Sequence, residues 1–243
     1  MVDVGTQTSR HQAPGDVSSQ STRERLLRAA QELVEEGGYA AASVLAVAER
    51  AGVAAGTLYR HWPSKGELFA ELFRRICDRE VEAMEAVAIA TSERPAVERV
   101  EAALVTFAER ALRNPRLAWA LIAEPVDPLV DVERLAYRRE YARRLVDGLR
   151  AGIASREIPE QDAELTAATL VGGVGEALVG PMSPLAGGRL DVEQILAALR
   201  LFVRRAIGAG EANRAVVRRS NSTEILDRPA RPAARAACSG GGA

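Results

Sequence analysis

Lysine is almost missing from this chain: Lys65 is the only one among its 32 basic residues, the rest being arginine. Abundant Ala, Gly and Arg trace this to GC-rich coding, which makes the position of the one surviving lysine informative. Cysteine is nearly as scarce. Cys77 and Cys238 are too few for a disulfide framework or a Cys-rich zinc site, and they suit a reducing compartment. The only histidines are His11 and His61, and there is no phosphate-binding loop. Metal-ligand clusters and His-based catalysis are therefore nearly excluded, and no catalytic residue, metal ligand or cofactor is assigned; an enzyme is not expected. Aromatic residues make up 4%. The first twenty residues are polar, without the apolar run of a signal peptide. No apolar stretch approaches the ~20 residues a membrane span needs, so a cytoplasmic protein without a membrane partner is expected.

What is present is helical. Apolar volume comes mainly from Ala, Leu and Val, and Ala and Leu are strong helix formers. Periodicity is helical almost throughout, with no strand alternation and no internal repeat. The fold class is therefore all-α, with about nine helices. The first is opened by Ser21-Thr22-Arg23-Glu24, read as a capping box, and stopped at Gly37-Gly38. Short helices follow over 43–51 and 54–61, then a long one over 65–90 behind a second box, Ser64 and Glu67. Five more are expected over 96–113, 116–123, 131–154, 160–179 and 191–207, with prolines or glycines at the junctions. Residues 1–20 and 209–243 are polar or rich in Gly and Pro and read as a disordered arm and tail. Between them, 21–67 and 68–208 read as two domains.

Two short helices joined at Gly52 describe a helix-turn-helix, about Val44–Pro63, with Ala48, Gly52, Val53 and Leu58 inward. Its second helix opens with Ala54, Ala55, Gly56 and Thr57, short groups that let a backbone sink into a major groove. Tyr59, Arg60 and His61 follow with polar tips. Lys65 begins the next helix, where a cation gains nothing from its own helix dipole, so a phosphate explains it better. Taken singly, Tyr59 reads equally as a core aromatic, Arg60 as a surface charge and His61 as a helix end. Their joint placement favours DNA. The net charge of −1 does not oppose this, because only one face need be basic. From Thr22 to Glu80 acids and bases are equal in number, but Arg23, Arg25 and Arg28 cluster at the first helix, and Arg60, His61 and Lys65 surround the second short one.

From Thr22 to Leu72, and most densely from Val47 to Leu68, the chain resembles the TetR family of bacterial regulators. Gly-Thr-Leu-Tyr at 56–59, the aromatic Trp62 and Ser64-Lys65 stand at that family's spacing. The resemblance covers about a fifth of the chain. It implies a three-helix DNA-binding domain, a helical ligand-binding and dimerisation domain, and a homodimer on double-stranded palindromic operator DNA, released by a small-molecule effector and usually acting as a repressor. Carried over, Thr57 and the backbone near Ala55 and Gly56 face the bases, while Ser43, Tyr59, His61 and Lys65 contact phosphates. Two positions depart: Ala54 replaces a usual Ser and removes a side-chain helix cap worth about 1 kcal/mol, and Trp62 replaces a usual Phe.

In the second half, residues 160–179 are apolar nearly all round. Gly172, Gly173 and Gly175 have neither the preceding strand nor the spacing of a dinucleotide fingerprint. With the stripe Val192, Ile195, Leu196, Leu199, Phe202, Val203 and Ile207, this segment is expected to form a four-helix homodimer interface with a second copy. Met84, Phe107, Trp119, Ile122, Tyr137 and Tyr141 are the large groups available to line an effector pocket or fill a core. Glu124 and Glu176 can fix a polar ligand end or meet an arginine. The run Tyr137-Arg138-Arg139-Glu140-Tyr141-Ala142-Arg143-Arg144 reads as a solvated helix face, with an anionic ligand contact as the sharper alternative. A helical adaptor that has lost DNA binding is the rival class.

Overall fold

Side-chain caps set most of the helix starts. In the computed structural model, which describes residues 14–185, 187 and 191–209, nine helices follow one another among the described residues: α1 Pro14–Ala41, α2 Val44–Arg50, α3 Ala55–Leu58, α4 Lys65–Ala90, α5 Ala96–Arg113, α6 Pro115–Ile122, α7 Pro128–Ala154, α8 Ala163–Met182 and α9 Val192–Ala206. The Ser43 and Ser64 hydroxyls accept from the Ala46 and Glu67 amides, both at 3.1 Å. Asp127, Asp162 and Asp191 cap α7, α8 and α9 in the same way.

Several boundaries correct the expectation. The helix at the start runs from Pro14, so Ser21 lies inside α1 and its box with Glu24 caps nothing; residues 14–20 of the expected arm are helical, and 1–13 lie outside the described residues. The break at Gly38 is real, with φ 81° and ψ −177°. Pro128 does not end a segment but sits in the first turn of α7, where its missing N–H is harmless, as Pro115 does in α6. α8 starts at Ala163 behind Asp162 and runs through Pro181 to Met182. Of the expected tail, residues 210–243 lie outside the described residues.

α1, α2 and α3 pack around Leu26, Ala30, Val34, Val47, Leu58 and Trp62, and Leu68 and Phe69 of α4 complete that cluster. α4 carries the core onward through Phe73, Ile76 and Met84 to α5 and α7. α8 packs on α7, and α9 lies chiefly on α5, where buried Glu101 pairs with Arg200 and Arg204. α8 also corrects the statement that no segment is apolar enough to span a membrane: by length and composition it qualifies, at mean hydropathy 1.3. Leucines and valines supply most of that value, and its outer face carries Leu165 at 67% exposure.

Candidate nucleic-acid interface and effector cavity

The turn between α2 and α3 is closed by the backbone. Gly52 has φ 65°, the left-handed region that favours glycine. Its N–H donates to Glu49 O and that of Val53 to Ala48 O, both at 2.9 Å, the pairing of a Schellman motif. Arg25 donates to the carbonyls of Ala51 and Gly52. Arg23 pairs with Glu71, which accepts from Trp62 Nε1 at 2.7 Å. Two of the three clustered arginines thus hold the motif together and are not free for a partner, which the sequence did not reveal; Arg28 is exposed.

α3 is shorter than expected, ending at Leu58, with His61 and Trp62 N–H both donating to Leu58 O at 3.0 Å. Leu58 is buried, while Ala54, Gly56, Tyr59 and Arg60 are exposed and Ala55, Thr57 and His61 are half-buried. A Cβ on Gly56 would meet nothing within 4 Å, so no packing among the described residues requires glycine there. Tyr59 is 56% exposed. Ser43 is exposed with its hydroxyl proton uncommitted to the cap it makes. Ala54 stands at the helix start with no side-chain cap.

Lys65 is engaged within the chain. Its ammonium donates to Tyr39 O at 3.2 Å and lies 4.1 Å from the centre of the Tyr39 ring and 5.3 Å from that of Phe69. Burial lowers its pKa, against the opposing pull of Glu124 and Asp127. The lysine therefore serves the C-terminus of α1, where a cation suits the helix dipole. This seat belongs to a joint between the helix-turn-helix and the rest of the chain. Glu124 is buried and accepts from Tyr39 N–H at 3.0 Å, and Arg116 donates to Gly37 O at 2.6 Å. A Cβ on Gly66 would strike the Asp127 carboxylate at 2.7 Å, so the first turn of α4 sits directly on the start of α7. Glu124 thus meets a backbone amide here, not a ligand.

A cavity of about 210 Å³ lies among α4, α5, α6, α7 and α8. Phe107, Ile122, Tyr137, Tyr141 and Glu176 of the anticipated group stand on its wall; Met84 and Trp119 do not. Met84 is buried elsewhere in the core, and Trp119 lies under the Arg116 guanidinium, 5.3 Å from its ring centre. Phe73, Cys77 and Arg134 are wall residues the sequence did not single out. The polar groups here are largely matched internally. Arg110 donates twice to Glu80, at 2.6 and 2.9 Å, Tyr137 donates to Asp78, and Arg134 donates to Leu121 O at 2.7 Å and Glu124 O at 3.0 Å. Burial pushes the Cys77 thiol up to about 12 and keeps it protonated, and burial likewise raises Tyr141 and Tyr137. The chamber is apolar and aromatic in demand.

Residues 26–72 match the family described as bacterial regulatory proteins, tetR family. Its core is the capped α2, the Gly52 turn and the outward α3 just described. Over these residues the chain carries the helix-turn-helix segment of that family. Over 109 residues it is 37% identical to the HTH-type transcriptional repressor KstR of Rhodococcus jostii, a match covering 44% of this chain and 50% of that repressor. The chain thus spans about half the length of that curated relative. Among solved structures it resembles the FadR regulator of Bacillus subtilis, in complex with stearoyl-CoA, with TM-score 0.64, 21% identity and coverage of 76% and 98% of the two chains. A transcriptional regulator from Rhodococcus sp. Rha1 gives TM-score 0.58 and 26% identity over 75% and 96%. The tetR-family fold is all-α, with its helix-turn-helix in the N-terminal part.

Proposed function

We propose that this tetR-family chain is a cytoplasmic, ligand-released transcription repressor that binds a palindromic operator as a homodimer. The observation that carries this is α3: a slim helix, with Gly56 facing open space and Tyr59 and Arg60 exposed beside it. In this reading residues 21–67 are the DNA-binding domain and 68–208 the regulatory one. Ala54, Ala55, Gly56 and Thr57 enter the major groove, and Ser43, Tyr59 and His61 contact phosphates. Lys65 joins them only by releasing Tyr39. The exposed Leu165 of α8 and Leu201 and Phe202 of α9 meet the same groups of a second copy, which sets the two α3 helices about 34–36 Å apart.

The aromatic cavity holds the effector. The FadR relative in fold was solved with stearoyl-CoA, and an apolar chamber of this kind suits an apolar body. Arg134 faces the cavity while holding the carbonyls of Leu121 and Glu124. A ligand that displaces it moves the loop bearing Glu124 and Asp127, on which the ends of α1 and α4 rest. That shifts α3 and weakens DNA binding, provided the ligand prefers the shifted state.

Footprinting on the DNA upstream of the gene tests the reading. A protected inverted repeat, lost as salt rises, is expected. A folded dimer that protects no sequence at low salt would sink it and leave a helical ligand-binding adaptor.

A further inference from the structure

A second cleft, of about 550 Å³, lies between the C-terminal half of α4, the start of α5 and α7, and its lining is unlike that of the aromatic cavity. Arg99, Arg143 and Arg144 stand on its wall together with Glu85, Glu140 and Asp147. The pairing is uneven. Arg144 is bound to Glu85 and to Glu140, and Arg143 to Glu140 at 2.6 Å. Among the described residues Arg99 has no carboxylate partner, and its Nε is buried with no acceptor. Buried polar groups are nearly always matched, so a guanidinium on the cleft wall with one nitrogen buried and unmatched points to an acceptor brought from outside.

The two cavities nearly meet. A void of about 10 Å³ lies between them, sharing Phe107 and Tyr141 with the aromatic cavity and Met84 with the arginine cleft. Met84 is buried, unbranched and adaptable, the kind of side chain that yields to a passing chain. On one side of it the walls are largely apolar and aromatic; on the other a buried guanidinium nitrogen has no acceptor among the described residues.

We propose that the arginine cleft binds the anionic head, a phosphate or carboxylate, of an amphiphilic effector whose apolar part passes Met84 into the aromatic cavity. The inference rests on the aromatic cavity being the effector site. Arg99 supplies the charge-assisted hydrogen bonds that recognise the head. The acids beside it repel small free anions, so the head binds well only when the apolar part anchors it. Selectivity for amphiphiles over free phosphate follows from that division.

Dodecyl phosphate, dodecanol and inorganic phosphate, titrated calorimetrically into the full chain below micelle-forming concentrations, test this. Dodecyl phosphate should bind about tenfold more tightly than dodecanol, the value of one hydrogen-bonded charge. Inorganic phosphate should give no heat in the same range. Arg99→Gln should erase the advantage while leaving dodecanol affinity unchanged, and Arg99→Lys should restore part of it. Equal binding of dodecanol and dodecyl phosphate, or an advantage indifferent to Arg99→Gln, overturns the anion site and leaves the aromatic cavity's role standing. Inorganic phosphate binding as tightly as dodecyl phosphate overturns the bridging of the two cavities. If neither dodecyl compound binds, the cavity reading and this inference fall together.

Discussion

α3 and α8 share an oddity: each carries a glycine whose missing Cβ would touch no described residue, Gly56 on one and Gly180 on the other, while Gly172 and Gly175 of α8, equally free of contact, stand on the wall of the aromatic cavity. A helical glycine costs up to about 1 kcal/mol against alanine, and at these sites no internal contact offsets it. Gly173 is different, since a Cβ there would meet the Phe202 ring at 3.2 Å; that glycine serves packing within the chain. The surroundings separate the two helices. Beside Gly56 stand a phenol, a guanidinium and an imidazole, whereas the exposed positions of α8 include Leu165, Ala168 and Ala177 with a single carboxylate, Glu176, between Gly175 and Ala177, and Leu201 and Phe202 are exposed on α9. A slim helix tells that something comes close. The chemistry around it separates the partners of the proposed function: a polyanion at α3, another apolar surface at α8.

The largest effect should come from breaking the α8 side. Leu165→Asp with Leu201→Asp places charges on exposed positions, so each subunit should stay folded while the dimer dissociates in analytical ultracentrifugation. Operator affinity should then fall on the order of 10²-fold or more, because the two half-sites no longer share one molecule. A monomer with undiminished affinity would remove the link between the two faces.

Breaking the α3 side should cost about 10²-fold through lost groove contacts, and there the dimer must survive. Gly56→Trp adds bulk where the chain has only open space, so the melting temperature should not drop. Wild-type affinity in a gel shift would mean that α3 does not approach the groove closely.

Much of this was legible in the chain. α4 and α5 begin and end where a Ser-x-x-Glu box and Pro95 place them, because those signals are local. α7 and α8 start elsewhere than expected because Pro128 opens a helix and Asp162 caps one, and a proline signals a helix start as readily as a break. The partners of single side chains are of another kind. Nothing near Lys65 in sequence reveals Tyr39, 26 residues away, as its acceptor in the free chain. Glu124 binds Tyr39 across 85 residues, and Arg99 matters through what it lacks. Pairings over such distances are properties of the fold, and no spacing rule encodes them.

Communication between the faces offers a smaller effect. Arg134→Met keeps an apolar stem on the cavity wall but releases the carbonyls of Leu121 and Glu124. Operator affinity without effector should change little, while the loss of affinity on adding an effector should shrink about tenfold, within the usual range of coupling energies. Unaltered release by effector would place the coupling elsewhere than Arg134.

The smallest expected change probes whether α3 is shaped for its partner or for itself. Ala54 holds the extended conformation of an N-cap, φ −66° and ψ 142°, yet offers no acceptor, whereas Ser43 and Ser64 cap α2 and α4 from equivalent positions. Ala54→Ser should add a bond from the Gly56 or Thr57 amide and stabilise the chain by about 1 kcal/mol, a rise of some 2–4 °C in melting temperature. Operator affinity should hold within about threefold, since the energy of one added neutral hydrogen bond sets that scale. A Ser that stabilises the free protein yet weakens operator binding well beyond that would show that the bare methyl is there for the groove, with the helix end left uncapped so that the backbone can approach the DNA.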